Sequence, residues 1–222
     1  NGALPLAPSA INPNSKSFTP NGFKDTVTPK EMTLADIKTT VEAFKQAAIH
    51  AKEAGFDGLE IHSSNGYLFH QFFNKCSNQR KDAYGGTIEN RAWFFFEVLD
   101  EISLVFPQNR ISVRFNPSMH NIHGIDVDEE TIPLFEYVIK KLNDYNLAYV
   151  HLSEPFTDVS KVMYAVQNIA AHFRPLYNGT LMINNNFNQE TGNKVIEAGL
   201  ADLVAYGKLF ISNPDLAERF EK

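Results

Sequence analysis

His62, Asn65 and Tyr67 fall within six positions of one another, in the stretch EIHSSNGYLFHQFF that runs from Glu60 to Phe73. A histidine and an asparagine three residues apart offer two N–H donors to a single oxygen, an arrangement that polarises a carbonyl or stabilises an enolate. A tyrosine hydroxyl beside them supplies a proton as general acid. The same three residues also read as a histidine bonded to backbone, an Asn–Gly turn and a tyrosine packed by its ring. Spacing alone leaves both readings open.

The elements around this stretch say where it sits. Thr33 predicts a helix start, with Asp36 three residues on as capping-box partner. Leu34, Ile37, Val41, Phe44, Ala48 and Ala51 follow as an apolar stripe at helical spacing, and Gly55 supplies the left-handed stop. FDGLEIH reads as a strand. The cycle then repeats: ENRAWFFFEVLDEISLVF before ISVRF, DEETIPLFEYVIKKLNDYN before AYVHLS, a helix around VSKVMYAVQNIAAHF before GTLMIN, and NQETGNKVIEAG, capped by Asn188, before ADLVAYG. Five strands separated by helices are the sign of a parallel sheet built from βαβ units. Residues 1–32 lack sustained periodicity and are expected to form an irregular arm on one domain spanning 1–222.

Two architectures fit: an open doubly wound sheet, or part of a (β/α)8 barrel covering about strands 4 to 8. No G-x-G-x-x-G turn follows an early strand, which argues against the first. In GLEIH and ISVRF a polar set, Glu60 with His62 and Ser112 with Arg114, shares one face, opposite an apolar set. Such strands suit a barrel whose inner face forms a site and whose outer face meets helices. Working groups in these folds lie at the carboxyl ends of strands, where His62, Asn65 and Tyr67 fall.

Composition narrows the function classes. The chain has 222 residues, 43% of them apolar, enough for a substantial core. A net charge of −6 argues against nucleic acid or anionic lipid as a main partner. No apolar run reaches membrane-spanning length, and no targeting pattern opens the chain. A single cysteine, Cys76, allows no intrachain disulfide and suits a reducing compartment, so a cytoplasmic protein is expected. His120, His123, Asp126 and Asp128 are potential metal ligands, but nothing in their spacing orients them together, and no metal is expected.

The run AGFDGLEIHSSNGYLFHQFFNKCSNQRKDAYGGTIENRAWFFFEVLDEI closely resembles the signature of the Old Yellow Enzyme family, the FMN-dependent ene-reductases that include the 12-oxophytodienoate reductases. VRFNPS, YVHLSEP and ADLVAYGKLFISNPDLAERF match further on, so the resemblance covers essentially the whole chain. It implies a (β/α)8 barrel holding FMN at its carboxyl rim, reduced by NAD(P)H, and delivering hydride to the β-carbon of an enone or enal. Carried over by motif, His62 and Asn65 would bind the substrate carbonyl and Tyr67 would protonate the α-carbon. Arg114 would face the flavin's pyrimidine edge, although an interior ion pair with Glu60 is its alternative. The phosphate would lie on Asn184 to Phe187 and Gly207–Lys208, with RKDAYGGTIENR serving mainly to order a loop.

Three departures qualify the resemblance. Asn185 and Asn186 stand where the family usually has Gly-Gly beside the phosphate, and Lys208 stands where it mostly has arginine, losing a two-pronged grip. The chain also matches the family only from after its third strand, so strands one to three are expected to be missing, as is the extreme C-terminal segment. That leaves an ene-reductase fragment as the leading reading. A degenerate or binding module without flavin is its rival. A flavin-free barrel isomerase or aldolase ranks last, because no strand end carries a Schiff-base lysine.

Overall fold

A computed structural model describes residues 2–221 of the chain. Four short strands occupy the first thirty-one residues: β1 (Leu6–Ala7), β2 (Lys16–Thr19), β3 (Gly22–Asp25) and β4 (Lys30–Glu31). β2 and β3 form an antiparallel hairpin and β1 pairs with β4 in parallel. The arm expected to be irregular therefore carries a hairpin, because Pro20–Asn21 turns the chain into the left-handed Gly22 (φ 84°) and Phe18 meets Phe23 edge-on at 5.4 Å across it. Arg80, 5% exposed, ties the arm down: it donates to the carbonyls of Pro8 and Met32 at 2.8 and 2.6 Å and forks onto Asp82. Arg80's bond holds the Asp82 carboxyl below the usual carboxylate range against the opposing pull of burial. RKDAYGG thus orders a loop, as expected, with Gly85 packed so closely that a Cβ there would lie 2.5 Å from the Arg80 carbonyl oxygen.

Helix α1 (Leu34–Glu53) opens on the Thr33–Asp36 capping box, with both bonds present. Its stripe buries Ile37 and Ala48 and half-buries Val41, Phe44 and Ala51, while Leu34 is exposed. Strand β5 (Leu59–His62) leads into α2 (Leu68–Phe73), a short helix that no helical period in the sequence announces. Then come α3 (Ile88–Ser103), β6 (Ile111–Phe115), α4 (Thr131–Lys141), β7 (Tyr149–Ser153), α5 (Ile169–Phe173), β8 (Leu181–Asn184), α6 (Gln189–Glu197), β9 (Leu203–Ala205), α7 (Lys208–Ser212) and α8 (Leu216–Phe220).

The helix expected across VSKVMYAVQNIAAHF is confined to its last five residues. Tyr164 adopts a left-handed backbone (φ 68°), which no helix interior accepts, and Met163 and Tyr164 remain exposed. The helix starts where its free N–H groups find acceptors: the Asn168 side chain caps Ala171, and the Glu154 carboxylate accepts from Ile169 and Ala170 at 2.9 and 3.1 Å.

The five long-range strands form one parallel sheet in the order β5-β6-β7-β8-β9. Each crossover moves one place in the same direction, with no reversal of strand order, so the sheet is an arc of a barrel and not a doubly wound sheet. Ile61, Val113, Phe115, Val150, Leu152, Leu181 and Ile183 point to the helices and are buried. Phe115, at the end of β6, contacts the rings of Phe73, Phe95 and Phe135 at 5.3–6.0 Å, gathering α2, α3 and α4 around one strand end. Each such ring, fully buried, contributes about 1.5–3 kcal/mol, so α2 is held by packing even though it is only six residues long.

Candidate active site

The other face of the arc carries Glu60 and His62, Ser112 and Arg114, Tyr149, His151 and Ser153, and Met182 and Asn184. Parallel register sets His62 beside Arg114, Arg114 beside His151, and Ser153 beside Asn184. This face is polar because alternation along each strand gives the apolar residues to the helices. Glu60 does not pair with Arg114 as the alternative reading had it. Its carboxylate lies 2.9 Å from His151 Nδ1. Burial works against the charged carboxyl, but the bond and charge of His151, with the charge of Arg114, outweigh it and hold Glu60 below its usual range.

Arg114 itself reaches Ser153 Oγ at 3.5 Å and leaves its Nε buried without a partner. His151 Nε2 and Asn184 Oδ1 on the same face are buried and unpartnered too. Unsatisfied buried donors and acceptors are costly, and these three lie on the same face of the arc.

His62 ends β5, its ring 5.2 Å from that of Tyr67. Burial, then the nearby Arg114 charge, push the His62 imidazole below its ordinary pKa against the pull of Glu60, which leaves the ring neutral at neutral pH. Ser64 Oγ lies 3.3 Å from His62 Nδ1; with the hydroxyl donating, the ring proton sits on Nε2. Asn65 adopts a left-handed backbone (φ 59°), and its Oδ1 accepts from Asn116 Nδ2 at 3.2 Å. Its own amide N–H groups remain available for another oxygen. Tyr67 is 60% exposed at the rim. The structure therefore brings His62, Asn65, Tyr67 and Arg114 to neighbouring positions at the carboxyl ends of β5 and β6.

Asn185 and Asn186 lie elsewhere, on the loop after β8, three strands along the sheet from β5, and Gly207 and Lys208 lie at the start of α7 after β9, four strands along. Asn185 and Asn186 are both left-handed (φ 83° and 62°), the conformation that glycines adopt without strain. The Asn185 amide donates to the carbonyls of Glu154 and Pro155 at 3.0 and 2.8 Å, so it turns toward the loop after β7. Glu154 is held above its usual range by burial, against the two α5 N–H groups it accepts from.

Sequence reasoning missed Ser64, Asn116 and the Glu60–His151 pair. Asn116 was findable, since it follows the end of a strand in VRFNPS, whereas the pairing of Glu60 with a residue ninety-one positions away was not. His120 Nδ1 lies 3.4 Å from Asp126 Oδ1, and among the described residues no three His, Cys, Asp or Glu side chains gather as a metal site. Cys76, half-buried, donates to the Gly124 carbonyl. Among the described residues no helix is long and apolar enough to cross a membrane.

Comparison with known proteins agrees with this geometry. The sequence matches the NADH:flavin oxidoreductase / NADH oxidase family over residues 5–222. It is 38% identical to putative 12-oxophytodienoate reductase 6 of Oryza sativa subsp. japonica over 100% of this chain and 56% of that protein. It is 36% identical to 12-oxophytodienoate reductase 1 of the same organism, over 98% of this chain and 57% of the relative. Among solved structures, morphinone reductase in complex with tetrahydroNAD superposes with a TM-score of 0.89 at 34% identity, covering 99% of this chain and 60% of that one. The Old Yellow Enzyme homologue from Zymomonas mobilis gives 0.90 at 31% identity, covering 99% and 61%. The chain thus spans a little over half the length of these relatives, and its five-stranded arc is part of a (β/α)8 barrel. The family match over residues 5–222, with relatives and solved structures of the same kind along essentially the whole chain, shows that this chain belongs to the NADH:flavin oxidoreductase / NADH oxidase family, whose cofactor is FMN with NAD(P)H as reductant.

Proposed function

We propose that this chain forms the substrate-side part of an FMN-dependent reductase acting on C=C bonds conjugated to a carbonyl. The residues fit the cofactor. Arg114, with its buried and unpartnered Nε, suits the polar pyrimidine edge of the ring, and the left-handed Asn185–Asn186 turn with Gly207 and Lys208 suits the phosphate. The chemistry FMN supplies when bound is hydride transfer to the electron-poor β-carbon, with NAD(P)H as reductant.

The chain's own groups do the rest. His62 Nε2–H and the Asn65 amide donate to the carbonyl oxygen of an enone or enal, drawing electron density off the alkene and stabilising the negative charge that develops on that oxygen. Because His62 stays neutral, it donates without surrendering its proton to solvent. The Tyr67 hydroxyl delivers a proton to the α-carbon. The observation that carries this reading is the 5.2 Å contact between the His62 and Tyr67 rings, with Asn65 between them in sequence and Arg114 in register beside His62.

The test is Tyr67→Phe. Turnover of a simple enone should fall by about 10²–10⁴ while flavin binding, followed by quenching of FMN fluorescence, is unchanged. Undiminished turnover would remove Tyr67 from the mechanism. The openness of the inner face, where Glu60 and Leu203 are exposed, favours a second reading, a module that binds no flavin. An FMN titration of the purified chain that shows no quenching decides for it.

A further inference from the structure

The turn that carries Asn65 and Tyr67 is held by side chains from the helix that follows it. Asn65 and Gly66 are left-handed in succession (φ 59° and 78°), and a Cβ on Gly66 would lie 2.9 Å from the His123 Cβ. An Asn–Gly pair adopts this conformation without great strain, so where the turn aims depends on a hold from its surroundings. Two side chains of α2 supply that. The Gly66 N–H donates to His70 Nδ1 at 3.3 Å, and the Gly66 carbonyl accepts from Gln71 Nε2 at 2.7 Å. Both backbone polar atoms of one residue are thus bonded by side chains four and five positions on.

His70 is an expensive way to fill its site. It is 1% exposed, set edge-on to Phe135 at 5.9 Å, beside a small gap lined by Phe73 and Leu134 and by Asn74, Arg91, Asp128 and Thr131. Since Nδ1 accepts, the ring proton lies on Nε2, and Nε2 is buried without a partner. An apolar side chain would pack there without that orphaned donor. What the imidazole adds is the bond to Gly66.

We propose that His70 and Gln71 are positioning residues for the reductase site: they grip the Gly66 peptide from both sides and so set where Asn65 and Tyr67 present their side chains. This rests on the carbonyl-binding and proton-donor roles given to Asn65 and Tyr67 above. α2 is fixed in turn by the phenylalanine cluster at the end of β6, so the grip is referenced to the core and not to the loop.

Three measurements test it. In the flavin-free chain, His70→Leu should lower the hydrogen-exchange protection of the Gly66 amide by about three- to tenfold, the worth of one hydrogen bond. The Asn74 amide, which donates to the His70 carbonyl, should be unaffected. His70→Asn, whose side-chain oxygen falls near the position of Nδ1, should restore the protection. Ring ¹⁵N shifts of His70 should report a neutral Nε2–H tautomer down to pH 5. In the flavin-loaded protein, His70→Leu and Gln71→Leu should each lower kcat for an enone by about tenfold, and this loss should shrink in a Tyr67→Phe background to the part that passes through Asn65, because coupled residues are non-additive. Gly66 protection that ignores His70→Leu, or that His70→Asn fails to restore, overturns the grip. Losses of kcat that simply add to Tyr67→Phe overturn the positioning role. A flavin-loaded wild type without turnover would sink the proposed reaction instead, and Gly66 exchange would still decide the grip.

Discussion

The turn after β5 and the turn after β8 each place two successive residues in the left-handed region: Asn65 and Gly66 (φ 59° and 78°) in one, Asn185 and Asn186 (φ 83° and 62°) in the other. Both stand at the carboxyl rim of the same sheet, and both are held by side-chain bonds to backbone. They differ in where the support comes from. The first is gripped by His70 and Gln71, from the helix that immediately follows it. The second is tied by the Asn185 amide to the carbonyls of Glu154 and Pro155, thirty residues back along the chain. A locally supported turn depends on a buried helix staying neutral and packed. A turn supported from a neighbouring loop depends on two strands keeping their register.

Acid separates the two most strongly. His70 is driven by burial, then by the charge of His62, from the ordinary 6.5 to about 3. Above pH 6.5 the folded and unfolded chains both hold this ring neutral. Below it the unfolded chain takes up a proton that the folded chain refuses, so stability falls by roughly tenfold in the folding constant per pH unit, down toward the folded pKa. His62, also depressed, acts in the same direction. Urea unfolding of wild type and His70→Asn between pH 7 and 4.5 isolates the His70 share, and the variant should show the shallower decline. Parallel curves would mean that His70 takes its proton in the folded state.

Next in size is Gly66→Ala. The added Cβ meets both a left-handed backbone and the His123 side chain, and should cost about 1–3 kcal/mol in urea unfolding. A loss near zero would show that the turn relaxes and that its two supports are loose. Asn185→Ala follows: losing two donors to the Glu154 and Pro155 carbonyls should weaken FMN binding by about tenfold, at about 0.5–1.5 kcal/mol per bond, read by fluorescence quenching. Unchanged affinity would show that the β8 turn keeps its shape without the tie.

The contrast between the turns also explains what was legible in advance. Strand positions, the Thr33 and Asn188 caps and the two faces of the sheet follow from spacing within a dozen residues, so a single sequence carries them. The cluster His62, Asn65 and Tyr67 was visible too, because one strand end and its loop hold all three, but spacing left its role open and the roles assigned to it came from the family resemblance. The tie of Asn185 to the β7 loop and the bond of Glu60 to His151 join separate βαβ units, and no local pattern announces them. α2 went unread for a different reason. LFHQFF is apolar on every side except at His70 and Gln71, so it shows no helical period, and those two interrupting residues are the ones that hold Gly66. The helix predicted too long had apolar residues at helical spacing, and Val159 is buried, but Met163 and Tyr164 stay exposed and the left-handed Tyr164 breaks the helix.

The smallest effect expected is also the sharpest comparison. Asn186 has the same handedness as Gly66 but carries a side chain, and no side-chain bond fixes it among the described residues. Asparagine tolerates φ of 62° better than most residues, yet still at some cost relative to glycine. Asn186→Gly relieves that cost while adding conformational freedom to the unfolded chain, and the two nearly cancel, leaving a change within about 1 kcal/mol. Gly66→Ala and Asn186→Gly are therefore opposite substitutions at equivalent backbone positions, and the first should destabilise far more than the second. If both proved neutral, left-handed geometry would carry no weight at this rim. If Asn186→Gly destabilised the chain as much as Gly66→Ala, the Asn186 side chain would be holding the β8 turn directly, and the tie through Asn185 would no longer be its only support.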